Sequence, residues 1–312
     1  MSTYIYASSA ISTQNQLAGE AALDSLVSIG ENKDLIEPDY SEYIKPMVIR
    51  RMSKATKMSV ACAFRCLKAI DYASLEAIIV GTGLGATTDT EKFLKVSIAS
   101  EVNMLPPTAF IQSGHNSIAG HIALLLKNDC YNMTHVQQGL SFEHAMLDAL
   151  LNLSEGKKNV LVGGVDEKNA LLNEIATRLK LDTKIQNQLA GGSAYFILGS
   201  EKSKAIAKVK AVTIMQYTSP VEAAQLFLEN NGLSYSNVQK GFVGYSLSFV
   251  EPIQLPLDTI VYTDYSGRFF SSAAYGLHLA STYLQYFINA KFALVINIAS
   301  SSKMGLILIE RV

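Results

Sequence analysis

Tryptophan is absent from the 312 residues, cysteine occurs three times and histidine five times, and charged residues make up only 17% for a net charge of −1. Each shortage excludes something. A chain so weakly charged creates no field able to hold a polyanion or an anionic membrane face, so no nucleic acid partner is expected. Cys62, Cys66 and Cys130 are too few for a disulfide framework and fit a reducing compartment. Cys62 and Cys66 stand four apart with no third or fourth ligand nearby, which reads as small apolar residues on a helix face, and no metal or cofactor is expected. No apolar run reaches membrane-spanning length and Met1–Tyr6 carries no basic leader, so the sequence predicts a cytoplasmic protein without a membrane span.

Apolar side chains are plentiful, at 49% of residues, which implies an extensive buried core. Combined with low surface charge, this points to apolar surface covered by another subunit. Strand and helix patterns alternate. Tyr4–Ser12, Glu76–Gly81, Asn159–Val165, Ala194–Leu198, Ala205–Tyr217, Gly241–Tyr245, Thr259–Thr263, Phe292–Ile298 and Leu306–Ile309 read as strands, many nearly continuous in apolar residues. Met47–Ala69, Thr87–Ala99, Ser219–Asn230 and Ser271–Phe287 read as helices. Buried strands separated by helices predict α/β layers.

The stretch from Tyr131 to Glu167 organises the rest. Tyr131–Val136 is apolar enough to be a buried strand, Gln137-Gln138-Gly139 is a turn, and Phe142, Ala145, Met146, Ala149, Leu150 and Leu153 form one helical stripe. Ser141 fits an N-cap, and Glu143 puts a negative charge in the first turn, where the helix dipole favours it. A strand, a tight turn and a buried helix raise the nucleophile in several enzyme folds. Here the raised residue is Gln138, an amide.

Few other residues carry chemistry. Gly81-Thr82-Gly83-Leu84-Gly85 has the wrong glycine spacing for a dinucleotide loop. His115 and Asn116, at a helix start, fit catalysis, capping or a subunit contact. Ser141 with His115 or His135 could form a hydroxyl nucleophile and base for an acyltransferase or thioesterase, with His144 one helical turn away. The N-cap reading of Ser141 needs nothing else in the sequence.

Arg50-Arg51-Met52-Ser53, Val80-Gly81-Thr82-Gly83-Leu84-Gly85 and Gly163-Gly164-Val165-Asp166 occur in the order of similar segments in β-ketoacyl synthases. The sequence resembles that family, the condensing enzymes of the thiolase fold, over nearly its whole length. Ser113-Gly114-His115-Asn116-Ser117 with Ala119-Gly120 is similar to a short, divergent branch that accompanies aryl-polyene or flexirubin-type pigment genes. The resemblance implies a single thiolase-like α-β-α-β-α domain spanning 1–312, with related halves of about 1–167 and 168–312. It also implies a nucleophilic cysteine at Gln138, one histidine in the loop around Gly244-Tyr245-Ser246, a second at Arg268, and a glycine-rich loop at Ser300–Gly305. None of the three catalytic residues is present. An amide is not a nucleophile at neutral pH and arginine is not a base, so condensation by the chain alone is not expected.

Glutamine in the cysteine's place is also what chain-length-factor subunits carry. The resemblance therefore implies a degenerate partner of an active ketosynthase in polyketide or fatty-acid-type synthesis, working with an acyl carrier protein. The alternatives are the Ser141 enzyme and a homodimeric acyl-binding scaffold. On the thiolase-like reading, Phe110, Phe142 and Met146 would wall an acyl tunnel, and Arg50, Arg51, Lys54 and Lys57 would offer a basic rim to the acidic carrier protein.

Overall fold

A computed structural model describes residues 2–15, 23–30, 34–99, 107–247 and 252–312. Among them ten strands form one mixed sheet: β1 (Thr3–Ile11), β2 (Leu75–Gly81), β3 (Tyr131–His135), β4 (Asn159–Asp166), β5 (Gly192–Gly199), β6 (Ala207–Gln216), β7 (Lys240–Tyr245), β8 (Thr259–Val261), β9 (Phe292–Ile298) and β10 (Lys303–Glu310). The order across the sheet is β3-β2-β4-β5-β1-β6-β10-β9-β7-β8. Counted from its own first strand, the set β6–β10 repeats the 3-2-4-5-1 order of β1–β5. The halves join where Thr3–Ile5 of β1 pairs with Ala207–Val209 of β6. By strand order they meet between Gly199 and Ala207, later than the expected boundary at 167/168, because β5 lies antiparallel beside β4 and completes the first set.

The helices are α1 (Pro46–Ile49), α2 (Lys54–Leu67), α3 (Thr87–Ala99), α4 (Pro107–Ser113), α5 (Ser117–Leu126), α6 (Ser141–Ser154), α7 (Ala170–Arg178), α8 (Thr183–Gln188), α9 (Pro220–Asn230), α10 (Thr263–Ser266) and α11 (Ala273–Tyr286). Strand alternation sorts them into layers. Ile78, Leu161 and Ile197 face α2 and α5, while their neighbours Ile79, Val162 and Phe196 face α6 and α11. In the second half Val295 and Ile307 face that same central pair, and Leu294 and Leu306 face α9. The result is helix, sheet, helix, sheet, helix, with α6 and α11 covered on both sides. Cys62 and Cys66 are buried on the strand-facing side of α2, donating to the carbonyls of Ser193 and Tyr195.

Two expectations are corrected. The helix expected over Met47–Ala69 is two helices. The Ser53 side chain accepts from Thr56 N at 3.1 Å and starts α2 afresh, leaving Arg50 and Arg51 in the intervening turn. The strand expected to be buried over Tyr131–Val136 is Tyr131–His135, and it lies at the edge of the sheet that the described residues form, with Asn132 and Met133 exposed.

Candidate functional site

Gly81 ends β2 where a Cβ would lie 2.5 Å from the Ser141 carbonyl oxygen, so only glycine lets α6 begin so close to the strand. The chain leaving β3 is held by Thr82 N donating to His135 O at 3.0 Å, and then it turns sharply. Gln138 has φ 52°. The other two described non-glycine residues in the left-handed region, Lys127 and Lys180, follow helix C-termini, where that conformation is ordinary. Gln138 instead precedes a helix. Holding it there costs about 1–2 kcal/mol, which the surroundings must supply.

Three hydrogen bonds do so. Gln137 N donates to Ser141 Oγ at 2.8 Å, Ser141 Oγ donates to Gln138 O at 2.7 Å, and Asn297 Nδ2 donates to Gly139 O at 2.7 Å. Ser141 is therefore the first helical residue and ties the turn together, rather than capping the helix as expected. Asn297 Nδ2 also donates to Glu143 Oε1 at 2.7 Å. Glu143 is fully buried, its Oε2 has no partner among the described residues, and burial pushes its carboxyl up to about 7.

The second half supplies the facing wall. A Cβ on Gly139 would lie 3.3 Å from the Ala299 side chain, so the turn rests on the loop after β9. Ser246 follows β7, its N–H on Ile298 O at 2.9 Å. Gln138, Ser246, Phe270, Ala299 and Ser300 line a mainly apolar cleft of ≈ 440 Å³, completed by Leu172 and Ile175 of α7 and by Leu179, Leu181 and Leu189 in the turns that flank α8. On its other side Gln138 borders a more polar depression of ≈ 650 Å³ with His144 and Met215. The turn, the Ser246 loop and the Ala299–Ser300 loop, remote in sequence, thus converge on one residue.

The remaining expected site residues are placed as follows. Arg268 is buried away from the cleft, Nε donating to Gln188 Oε1 at 2.7 Å and Nη1 to Ser246 O at 2.9 Å, with Tyr245 stacked beneath. His135 Nε2 meets Asp148 Oδ2 at 2.8 Å, and no histidine is hydrogen-bonded to Ser141 among the described residues. Burial, followed by the nearby His135, lowers the His144 pKa from its ordinary value. His115 packs against Gly85, and Asn116 makes no side-chain cap. Phe142 and Met146 are wholly within the central core, and Phe110 is 64% exposed on α4 beside Phe93, so none of the three borders the cleft. Lys54 is paired with Glu37 at 2.7 Å and Lys57 lies over the Tyr40 ring, while Arg50 and Arg51 are exposed in the turn before α2.

The carboxylates that hold this frame escaped sequence reasoning. Asp166 Oδ1 accepts from Thr82 Oγ1, Gly83 N and Leu84 N, and its Oδ2 accepts from Ser271 N and Oγ, all within 3.0 Å. Burial pushes this carboxyl up and those bonds pull it back. The glycine loop is therefore a nest filled by the chain's own carboxylate. Glu167 accepts from Ala55 N at the start of α2 and Thr88 N at the start of α3. Adjacent acidic residues following Gly163-Gly164 were the available signal. No group of three or more His, Cys, Asp or Glu among the described residues is arranged to hold a metal, and no described helix is long and apolar enough to cross a membrane.

Residues 28–193, more than half of the chain, match the family described as beta-ketoacyl synthase, N-terminal domain. The chain belongs to the beta-ketoacyl synthase family. Its fold is thiolase-like, and it is similar over its full length to several solved structures. The ishigamide ketosynthase/chain length factor has a TM-score of 0.79 at 16% identity, with 100% of each chain covered. The AntDE:AntF complex, a type II PKS acyl-carrier protein with its ketosynthase, has 0.78 at 12%, covering 100% of this chain and 99% of that one. A beta-ketoacyl synthase from Burkholderia phymatum STM815 has 0.75 at 12%, with the same coverage. No curated protein sequence matches the chain.

Proposed function

We propose that the chain is a catalytically degenerate ketosynthase subunit, a chain-length-factor-like partner of an active ketosynthase in polyketide or fatty-acid-type synthesis. Aryl-polyene or flexirubin-type pigments are the products the sequence resemblance favours. The observation that carries the reading is the elbow itself: the strained turn is kept, with φ 52°, and a carboxamide stands at its tip. An amide can donate and accept hydrogen bonds there but cannot form a thioester. Ser141, the nearest hydroxyl in sequence, is already committed to the turn's own backbone. Arg268 is turned toward Gln188 and the Ser246 carbonyl.

A partner is supported by apolar surface at the β3 end of the sheet. Ile98 on α3, Phe110 and Ile111 on α4, Leu124 on α5 and Met133 on β3 are exposed, and α3 packs on α4, α4 on α5 and α5 on β3. Exposed large apolar side chains on four adjoining elements support an interaction site there. Likeness to a ketosynthase/chain length factor and to a carrier protein with its ketosynthase names the partners to try.

Co-expression with a neighbouring ketosynthase gene, followed by native mass measurement, tests the reading. A stable mixed dimer is expected. A chain that pairs only with itself would favour a homodimeric acyl-binding scaffold, and acyl transfer by the isolated chain, abolished by Ser141→Ala, would favour the hydroxyl enzyme.

A further inference from the structure

A cavity of ≈ 520 Å³ lies at the free edge of β1 and shares no lining residue with the depressions at Gln138. β1 pairs with β6 only over Thr3–Ile5, so beyond Ala7 its second edge faces a gap between the half-sheets. Arg65 and Lys68, at the end of α2, form one wall of that gap, and Tyr275 and His278 of α11 form the other.

The polar groups here are not used up within the protein. Arg65 spends Nε on the Tyr43 hydroxyl at 3.0 Å with its guanidinium over the Tyr43 ring, and its terminal nitrogens make no hydrogen bond or ion pair among the described residues. Lys68 is exposed and forms no ion pair among them. Tyr275 is only 2% exposed, and its hydroxyl, beside the Ser12 side chain, makes no hydrogen bond of good geometry among the described residues. Leaving a buried hydroxyl unpaired is unfavourable, and a bound oxygen atom would remove that penalty. His278 Nδ1 lies 3.0 Å from Ser8 Oγ, and burial pushes its imidazole down to about 4, so it adds no charge at neutral pH. Two cations then face one carboxylate, Glu42, which repels an anion but accepts from hydroxyls. The volume is that of an organic ligand rather than a bare ion.

We propose that this cavity binds a small phosphorylated polyol, its phosphate against Arg65 and Lys68 and its hydroxyls against Glu42, Ser9 and Tyr275. Titration calorimetry on the full chain, with glycerol 3-phosphate, inorganic phosphate and glycerol at constant ionic strength, tests this. Glycerol 3-phosphate is expected to bind saturably at one site, inorganic phosphate at least tenfold more weakly in competition with it, and glycerol not at all. Arg65→Gln and Lys68→Gln should each weaken glycerol 3-phosphate at least tenfold, and Tyr275→Phe severalfold. Circular dichroism melts confirm folding, and if Arg65→Gln does not fold, the exposed Lys68→Gln decides. Absence of saturable binding, or affinity unchanged by Lys68→Gln, would overturn the site. Equal affinity for the two phosphates would overturn the polyol assignment.

Discussion

Gln138 and Glu143 are five residues apart and show how one side chain can be judged by its neighbours. Gln138 is exposed at the tip of the turn. A Gln138→Cys variant should therefore take one more iodoacetamide adduct, by intact mass, than the wild type with its exposed Cys130. The same variant should gain no condensing activity, because Ser246 and Arg268 offer no base; condensation by Gln138→Cys alone would refute that account. Glu143 is different in kind. Its carboxyl moves from an ordinary value of 4.5 to about 7 in the fold, so between those values the folded state binds the proton more tightly than the unfolded one. Stability is accordingly full below about 4.5, falls as pH rises to 7, and stays reduced above it, by about 3 kcal/mol at 1.36 kcal/mol per unit. Glu143→Gln, which keeps an acceptor for Asn297, should remove that falling limb. Urea denaturation at pH 5 and pH 8 checks this, and parallel losses in both proteins would rule out Glu143 as the cause.

Helix starts, more than helix interiors, depend on remote residues here. The first turns of α2 and α3 share one carboxylate, Glu167, which lies just beyond β4. Glu167→Ala should cost about 2–3 kcal/mol, two charged caps at roughly 1 kcal/mol or more each, whereas Glu167→Gln, with a single amide oxygen, should lose about half of that. Thermal melts distinguish them, and a shift within error for the alanine variant would refute the shared cap. Element interiors were far more legible. Thr87–Ala99 and Phe292–Ile298 form α3 and β9 with the bounds the spacing predicts, because side-chain periodicity reports which face is buried. Periodicity does not report edges. Tyr131–His135 has a buried strand's composition but lies at the sheet's end, and Met47–Ala69 looks like one helix although Ser53 interrupts it.

Across the whole molecule the repeated strand order brings α6 and α11 between the two half-sheets, where their apolar residues join one central core, although α6 also carries Glu143, His144, Asp148 and Asn152. Among the described residues it also leaves β3 with one unpaired edge, beside the exposed apolar residues of α3 to α5. The isolated 33.9 kDa chain is expected to elute as an oligomer, and Met133→Lys on that edge should shift it toward monomer while leaving its melting temperature within about 2 °C. Size exclusion with light scattering reads both forms, and a wild type that is monomeric at every concentration would exclude this face as a self-association surface.

The sequence alone determined the α/β class, most helices and strands, the family resemblance and the amide at the elbow, because periodicity and chemical identity are local properties. Tertiary structure decided that Asp166 fills the glycine loop, that Arg268 turns from the cleft, that Phe142 and Met146 are core rather than wall, and that two cations and the buried Tyr275 phenol share a gap beside β1. Each of these depends on which groups from distant segments lose water together, and spacing along a chain carries no information about that.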